Sequence, residues 1–523
     1  MCVIAATAIA SSKIARAQDT TRPDLPTALQ ISERAPAIEP LSTPELGDHL
    51  LSGQVIHPID LASALKLAGA RDLDVAIARA RVAQAAADLD RARALMLPSL
   101  FIGPNWIRHD GQAQIVEGPV RTISKSSLFL GATAAAGSSV SGPVPAGGPA
   151  QVTGLTTVLR FSDAIFEPLA ARQVIDARNA RVAAASNDAL LGVAQAYMDL
   201  QREAGSLAIS HEAAANAQAL VDLTASYARS GAGLEADHQR ALAERDRRRM
   251  DVEASVGRLE VASTEIVRRT RLDPLLLVAP VEPAETVLQL VDATVPIDDL
   301  VITGLRNRPE LCEAQALVQA TLVRLKQARL RPWIPSLALR YSGGGFGGGT
   351  NAFFGDFASR SDADVNVYWE VANLGFTDRA IMRRRHAEQE EATLQLFQVQ
   401  DRVAAEVVRS EKRRIAADRQ LREAARAVPE ALRSLELNFT SIRQAAGLPG
   451  ATRPIEVLQP IQALAQARLD YLEAVVAYNR AQFQLYHAIG RPPLLESPHD
   501  SPIESDSQRA IPPSPPVPPA PAP

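Results

Sequence analysis

Ile59-Asp60-Leu61-Ala62-Ser63-Ala64-Leu65, then an Ala/Arg/Asp-rich stretch, then Leu97-Pro98-Ser99-Leu100, open the first half of this chain. The second half repeats the scheme: Ile297-Asp298-Asp299-Leu300, a similar stretch, then Ile334-Pro335-Ser336-Leu337. Each copy passes through an aromatic-bearing, alternating segment into very long helical runs. A helix–strand–helix unit recurring after roughly 210–240 residues is far too long for a solenoid repeat. It points to a pseudo-symmetric fold in which both halves supply equivalent elements to one closed structure.

Working outward from the first copy, residues 59–97 contain no proline. Leu61, Ala64, Leu65, Ala68, Val75, Ala78, Val82, Ala85 and Leu89 recur at helical spacing, which predicts one helix ended by Pro98. From Pro168 to Arg229 the pattern predicts a helix of about 60 residues, about 90 Å long. Ser230-Gly231-Ala232-Gly233 breaks it, and a second long helix runs to about 271. Residues 274–297 read as a Pro- and Val-rich connection. In the second copy a helix opens at Arg308-Pro309-Glu310-Leu311 and closes at Pro332. Helix resumes at Phe376, free of Gly and Pro as far as Pro429. It turns at Gly447-Leu448-Pro449-Gly450 and ends with a helix over about 455–489. Helices this long need neighbours to cover their apolar stripes.

Strand signals sit between the helices. Leu155 to Ser162 alternates, with Leu159 and Phe161 on one face, and a further strand is expected around 100–108, with Ser127 to Thr133 extending a hairpin. Ser336 to Tyr341 alternates too. Asp362 to Val371 is the cleanest strand, with Ala363, Val365, Val367, Trp369 and Val371 on its apolar face. Gly137 to Gly154 and Gly343 to Gly355 read as loops. Of 22 aromatic residues, fourteen fall within 99–166 and 333–376. Such clustering suits a membrane β-barrel, where amphipathic rings line the headgroup regions. A buried soluble β-sandwich is the alternative. The strands favour the barrel by keeping one polar face, as a water-filled lumen requires.

Composition excludes several classes. With 55 basic and 59 acidic residues the net charge is −4, so the positive surplus of a nucleic-acid binder is missing. No apolar run approaches the about 20 residues of a transmembrane helix, so a membrane-spanning form must be a closed barrel. Cys2 and Cys312 form no metal or disulfide framework. No HExxH, CxxC, P-loop or G-x-S-x-G motif occurs, and no catalytic, metal or cofactor residue is assigned. Gly343 to Gly349 lacks the βαβ setting of a phosphate loop. Arg247-Arg248-Arg249 and Arg383-Arg384-Arg385 lie among carboxylates and read as solvated helix faces.

The chain divides into residues 1–17, a signal-peptide remnant or a simple tail; 18–57, a linker; 58–296, the first repeat of helix, β-hairpin and long helix pair; 297–491, the second repeat; and 492–523, a Pro-rich tail read as disordered.

Over about residues 57–491 the chain resembles the TolC-like outer-membrane efflux channels of Gram-negative bacteria. The resemblance rests on the order and duplication of several pieces. These are the Leu61…Ala64-Leu65…Ala68 opening, the two helix-ending Pro-Ser-Leu segments, Arg308-Pro309-Glu310-Leu311, Trp369…Asn373-Leu374-Gly375, and Ala451-Thr452-Arg453-Pro454-Ile455-Glu456-Val457-Leu458 with the helix after it.

The resemblance implies a mainly helical protein with a small β part. Each protomer of a homotrimer gives four strands to a shared 12-stranded barrel and long helices to a tunnel through the periplasm. It implies an outer-membrane exit duct of a tripartite efflux or type I secretion system, set in outer-membrane lipid. Its partners are a periplasmic adaptor (membrane fusion) protein and an inner-membrane pump, with no enzyme activity, no cofactor and no nucleic acid.

Carried over by position, Ser230, Gly231, Gly233, Gly447, Pro449 and Gly450 correspond to adaptor-docking tips. Arg453, Glu456 and Gln459 correspond to the periplasmic gate. Phe101, Trp106, Phe161, Tyr341, Tyr368 and Trp369 are barrel positions. Glu456 stands where the family has Asp, and Gln459 replaces an acid of some members, which implies a weaker cation-selecting ring; Pro454 and Pro460 are further departures. Glu456 also reads as an exposed helix-start carboxylate favoured by the macrodipole. A peripheral coiled-coil scaffold or adhesin-like protein is the alternative from a different class.

Overall fold

The computed structural model describes residues 55–114, 120–136, 138–139, 157–231, 233–349, 358–444 and 454–490. The first half runs β1 (Val55–Ile59), α1 (Leu61–Arg71), α2 (Leu73–Ala94), β2 (Pro98–Gln114), β3 (Val120–Ala136), β4 (Ser138–Ser139), β5 (Thr157–Arg160), α3 (Phe161–Arg229) and α4 (Glu235–Thr270). The second half runs β6 (Leu276–Pro280), α5 (Ile297–Asn307), α6 (Pro309–Leu330), β7 (Ser336–Gly349), β8 (Ala358–Tyr368), α7 (Phe376–Gln444) and α8 (Leu458–Ala488).

The single helix expected over 59–97 is two. Asp72 is extended (φ −64°, ψ 133°), and its carboxylate accepts from the Asp74 and Val75 N–H groups at 2.8 and 3.2 Å. That is an N-cap, and it starts a new helix inside an unbroken apolar pattern. The second half breaks at the same place by other means. Arg308 is extended (φ −69°, ψ 121°) and Pro309 takes the first helical position. Both breaks separate an 11-residue helix from a 22-residue one.

α3 overruns its expected start at Pro168, and both long helices carry an interior proline. α3 begins at Phe161 and passes through Pro168, and α7 passes through Pro429; each is 69 residues, about 100 Å at 1.5 Å per residue. An interior proline costs about 3 kcal/mol, which the side-by-side packing of such a helix outweighs. α2 and α4 lie along one side of α3, while α6 and α8 lie between α3 and α7. The helices thus form one layer whose outer edges are α2 with α4 on one side and α7 on the other.

Two short elements were missed where linkers were expected. β1 begins at Val55, inside the stretch read as linker, and pairs in parallel with β6, inside the 274–297 connection. This two-stranded sheet closes over the main core, where Leu65, Tyr197, Met198, Leu259, Ile266, Leu472 and Phe483 are buried. The Tyr197 hydroxyl meets the Ile59 carbonyl oxygen (3.1 Å) and the Glu282 carboxylate. Burial, reinforced by that negative charge, pushes the Tyr197 phenol far up. Glu282 also accepts from the Leu61 N–H at 2.9 Å, capping α1 from 221 residues away.

The connection after β6 is held by side-chain amides of α8. Asn479 accepts from Leu288 N–H (2.8 Å) and donates to the Thr286 carbonyl (2.7 Å). Gln482 accepts from Val291 N–H (3.1 Å) and donates to the Tyr478 hydroxyl (2.8 Å). Both are almost fully buried, so an unpaired strand-like segment gets its hydrogen bonds from a helix. Gly205 on α3 permits the crossing, since a Cβ there would come within 2.8 Å of Ala284 Cβ.

Asn479→Ala leaves the Leu288 N–H and the Thr286 carbonyl unpaired, at about 1–3 kcal/mol each. The midpoint of heat-induced loss of helical circular dichroism in detergent is expected to fall. An unchanged midpoint would show that this grip contributes nothing.

Candidate functional site

The larger sheet pairs β2–β3–β7–β8, all antiparallel, with β5 continuing the β3 edge of β7 and β4 paired to β5. Strand order matches helix order: β2 follows α2, β5 leads into α3, β7 follows α6 and β8 leads into α7.

Register decides what the faces are. Trp106 is opposite Leu128, Leu130 opposite Gly345, Leu337 opposite Val367, and Leu339 opposite Val365. Paired residues share a face, so one row of positions holds Leu100, Ile102, Trp106, Leu128, Leu130, Leu337, Leu339, Tyr341, Val365 and Val367. The other face holds Asn105, Ser127, Thr133, Ser342 and Asn366, with Arg340 opposite Asp364. In the half of the sheet nearest the helices one face is thus mainly apolar and the other mainly polar; further out the first face takes Arg108, Asp110, Ser124 and Ser361, and the second carries Phe129 opposite Phe346. On the apolar face Val365 is 65% and Tyr341 56% exposed. Among the described residues, β2 and β8 carry no strand on their outer edges.

The expected barrel positions divide accordingly. Trp106 and Tyr341 occupy the apolar row. Phe101, opposite Thr133, and Tyr368, opposite Ser336, belong to the polar row. Phe161 is not in a strand: β5 stops at Arg160, and Phe161 starts α3. Trp369 and Val371 lie past the end of β8. The glycine run expected as a loop is strand as far as Gly349, paired with β3 and β8; backbone pairing needs no side chain. Of the two expected loops, 138–139 is strand and residues 137, 140–154 and 350–355 lie outside the described residues, as do Leu155 and Thr156 at the start of the expected strand.

An exposed apolar collar lies where the sheet meets the helices, and of its members only Trp369 is among the expected barrel positions. Trp333, Trp369, Leu374 and Phe376 are all exposed, Leu374 to 91%. The turn into α7 puts Asn373 and Leu374 at φ 51° and 56°, a left-handed conformation costing about 1–2 kcal/mol per non-glycine residue. Beside it Glu370 faces Arg160 (3.6 Å) and Arg331 (3.8 Å). The clustering of aromatics around residues 333 and 376 was the signal for the collar.

At the far end of the helices, α3 turns into α4. Gly231 has φ 74°, the Ser230 hydroxyl donates to the Tyr227 carbonyl (3.0 Å), and Gly233 N–H donates to the same oxygen (3.0 Å). A Cβ on Gly233 would meet Tyr227 Cβ at 2.9 Å. All three expected tip residues therefore shape one turn. The Tyr227 hydroxyl crosses to α7 and donates to the Ile442 carbonyl (2.8 Å). Leu220, Val221, Ala241, Leu435, Ile442, Val457, Ile461 and Leu464 bury a second core there, joining the two helix pairs. Glu456 and Gln459 are exposed on either side of the buried Val457. Gly447, Pro449, Gly450 and Arg453 lie outside the described residues.

Among the described residues no cluster of three or more His, Cys, Asp or Glu side chains could hold a metal ion. No helix is long and apolar enough to cross a membrane.

No family model matches this sequence, and no curated protein matches it. Solved structures do. The outer membrane protein VceC of Vibrio cholerae superposes with a TM-score of 0.64 at 15% identity, over 82% of this chain and 96% of that one. CusC, whose structures address transmembrane channel formation, gives 0.64 at 18% identity over 90% and 99%. The Campylobacter jejuni CmeC outer membrane channel gives 0.64 at 14% identity over 90% and 94%. The fold is that of the TolC-like outer-membrane channels. At these identities the likeness is one of architecture, and the TolC-like fold accounts for the long helices and the small sheet together.

Tyr227→Phe removes the one hydroxyl that bridges α3 to the Ile442 carbonyl and is expected to loosen the tip by about 1 kcal/mol. Amide hydrogen exchange over residues 435–444 should quicken severalfold. Equal exchange in both proteins would show that the bond does not hold the tip.

Proposed function

We propose that this protein is a passive outer-membrane exit duct. Three copies would share one 12-stranded barrel and a helical tunnel reaching into the periplasm, docked to a periplasmic adaptor and an inner-membrane pump of a tripartite efflux or type I secretion system. The observation that carries the reading is the sheet: four strands wide, with an apolar row on one face of the half nearest the helices, a mainly polar row opposite, and, among the described residues, both edges open. In hydrocarbon an open edge leaves backbone groups unsatisfied at several kcal/mol each. Joining β8 of one copy to β2 of the next removes every edge, and a head-to-tail contact that closes on itself makes a ring. The helix layer supports the same closure, because its two outer edges carry exposed apolar side chains: Leu73, Met250 and Val261 on α2 and α4, and Leu394, Phe397 and Leu437 on α7. Energy for export would come from the pump, and the two halves of the chain would be equivalent copies of one unit. The tip turns at Ser230, Gly231, Gly233, Gly447, Pro449 and Gly450 would meet the adaptor. Arg453 and Glu456 would gate the periplasmic end, with Gln459 weakening the ion-selecting ring.

Val365→Arg and Asn366→Arg test the membrane assignment at adjacent positions. A cation on the lipid face near the midplane costs about 2–4 kcal/mol, whereas a lumen substitution costs little. Asn366→Arg should yield heat-modifiable, detergent-requiring trimers, and Val365→Arg far fewer. Equal yields would overturn the assignment of faces. Purified trimers in planar bilayers should conduct, and folded trimers without conductance would overturn the duct. Arg453→Ala and Glu456→Ala should raise conductance and shift ion selectivity respectively; unchanged values would dismiss the gate.

A further inference from the structure

We infer that residues 492–508 of this chain dock in the groove between α5 and α7 of the same protomer. The groove has a volume of about 660 Å3, and its lining includes Val301, Ala404, Val408, Arg409, Lys412 and Arg413. Its walls are apolar and its charged residues are all cations. Arg409 and Lys412 form no ion pair among the described residues, and Arg413 reaches only the Gln484 amide oxygen (3.3 Å). The carboxylates on this part of α7 are engaged elsewhere: Glu406 with Arg308 (2.9 Å) and Glu411 with Arg414 (2.7 Å). An apolar floor with an uncompensated cationic rim fits an acidic segment carrying apolar side chains.

This chain supplies such a segment beside the groove. Gly490, the last described residue, lies against the end of α5, where a Cβ would come within 2.7 Å of the Asn307 carbonyl carbon. Val301 is six residues back along α5, about 9 Å away. Gly304, between them, faces Val407 of α7, a Cβ there falling 2.9 Å from Val407 Cγ2. Four extended residues reach about 13 Å, so Leu494 can stand over the groove. Residues 492–508 hold Glu496, Asp500, Glu504 and Asp506, with Leu494, Leu495 and Ile503, and no Lys or Arg. The residues before Val55 are acidic in part as well, but they enter through β1, which pairs with β6 beside α4 at the other side of the helix layer.

Disulfide trapping in the full chain tests this, with Cys312 replaced by Ala. Leu494→Cys is combined either with Val408→Cys in the groove or with Arg306→Cys, which is exposed and adjoins Asn307, against which Gly490 lies. Oxidation in isolated membranes, read by peptide mass spectrometry, should give a 408–494 link within one chain at least tenfold more often than a 306–494 link. Adding Arg409→Glu and Lys412→Glu should bring the two yields together, and adding Glu496→Lys and Glu504→Lys to those should restore the preference. Should Val408→Cys impair folding, Ala405→Cys on the same wall replaces it. Equal yields from the outset, a link between two chains, or insensitivity to charge reversal would each overturn the proposal. The links are read whether or not the protein conducts ions, so this inference and the duct fail separately.

Discussion

An open sheet edge is the constraint on which the rest of the structure turns. Among the described residues, backbone N–H and C=O groups along β2 and β8 have partners on one side only, and a sheet of four strands cannot satisfy them by curling on itself. Two solutions exist for such a sheet: solvate the edges, or join them to another copy. The apolar row that crosses all four strands in the half nearest the helices argues against solvation, since it would stand exposed beside the edges. The same reasoning extends into the helices. Because each strand continues into one helix in the same order, any copy placed edge to edge in the sheet is also placed edge to edge along α2, α4 and α7. One contact geometry then serves both layers.

Between the sheet and the tips the chain has to change from strands to helices without losing alignment over about 100 Å. Polar side chains carry that alignment at the waist. Asp188 on α3 meets His487 on α8 (3.0 Å), a bond that holds the Asp188 carboxyl below its ordinary range. Arg308 at the α5–α6 break donates to the His487 carbonyl oxygen (3.2 Å) and to Glu406 on α7 (2.9 Å). Four helices are thus fixed by directional contacts where apolar packing alone would let them slide. The core beneath them, centred on Tyr197 and Phe483, supplies the apolar area.

Much of this was legible in the sequence because the patterns are long. Sixty residues without proline, an Asp362–Val371 alternation and a duplicated Pro-Ser-Leu stop are each plain to read along the chain. What stayed hidden depended on contacts distant in sequence. β1 and β6 are five-residue strands stabilised by each other across 221 residues, and nothing local marks them. Phe161 reads as part of a strand running to Ser162 because alternation and helical spacing coincide over so few positions. The glycine run of β7 reads as loop in any local scheme, and becomes strand only because β3 and β8 flank it. At the tip, Gly231 and Gly233 were visible as breakers, while the partner that makes the turn matter, Tyr227 reaching Ile442, lies 215 residues from its acceptor.

The two helix breaks show how one geometry can be reached by unlike chemistry. Asp72 restarts a helix by accepting two N–H groups with its own carboxylate, a local device complete within four residues. Arg308 leaves the restart to Pro309, which needs no N–H partner. Its guanidinium pairs with Glu310 on α6 (3.0 Å) and also binds α7 and α8, and it is buried to 6% exposure. A buried guanidinium is costly unless its donors are met. The second break therefore draws on α7 and α8 as well as on its neighbour Glu310, whereas the first is capped wholly within its own segment. On that physical ground the Asp72 corner is a property of its own segment, and the Arg308 corner is a property of the assembled helix layer.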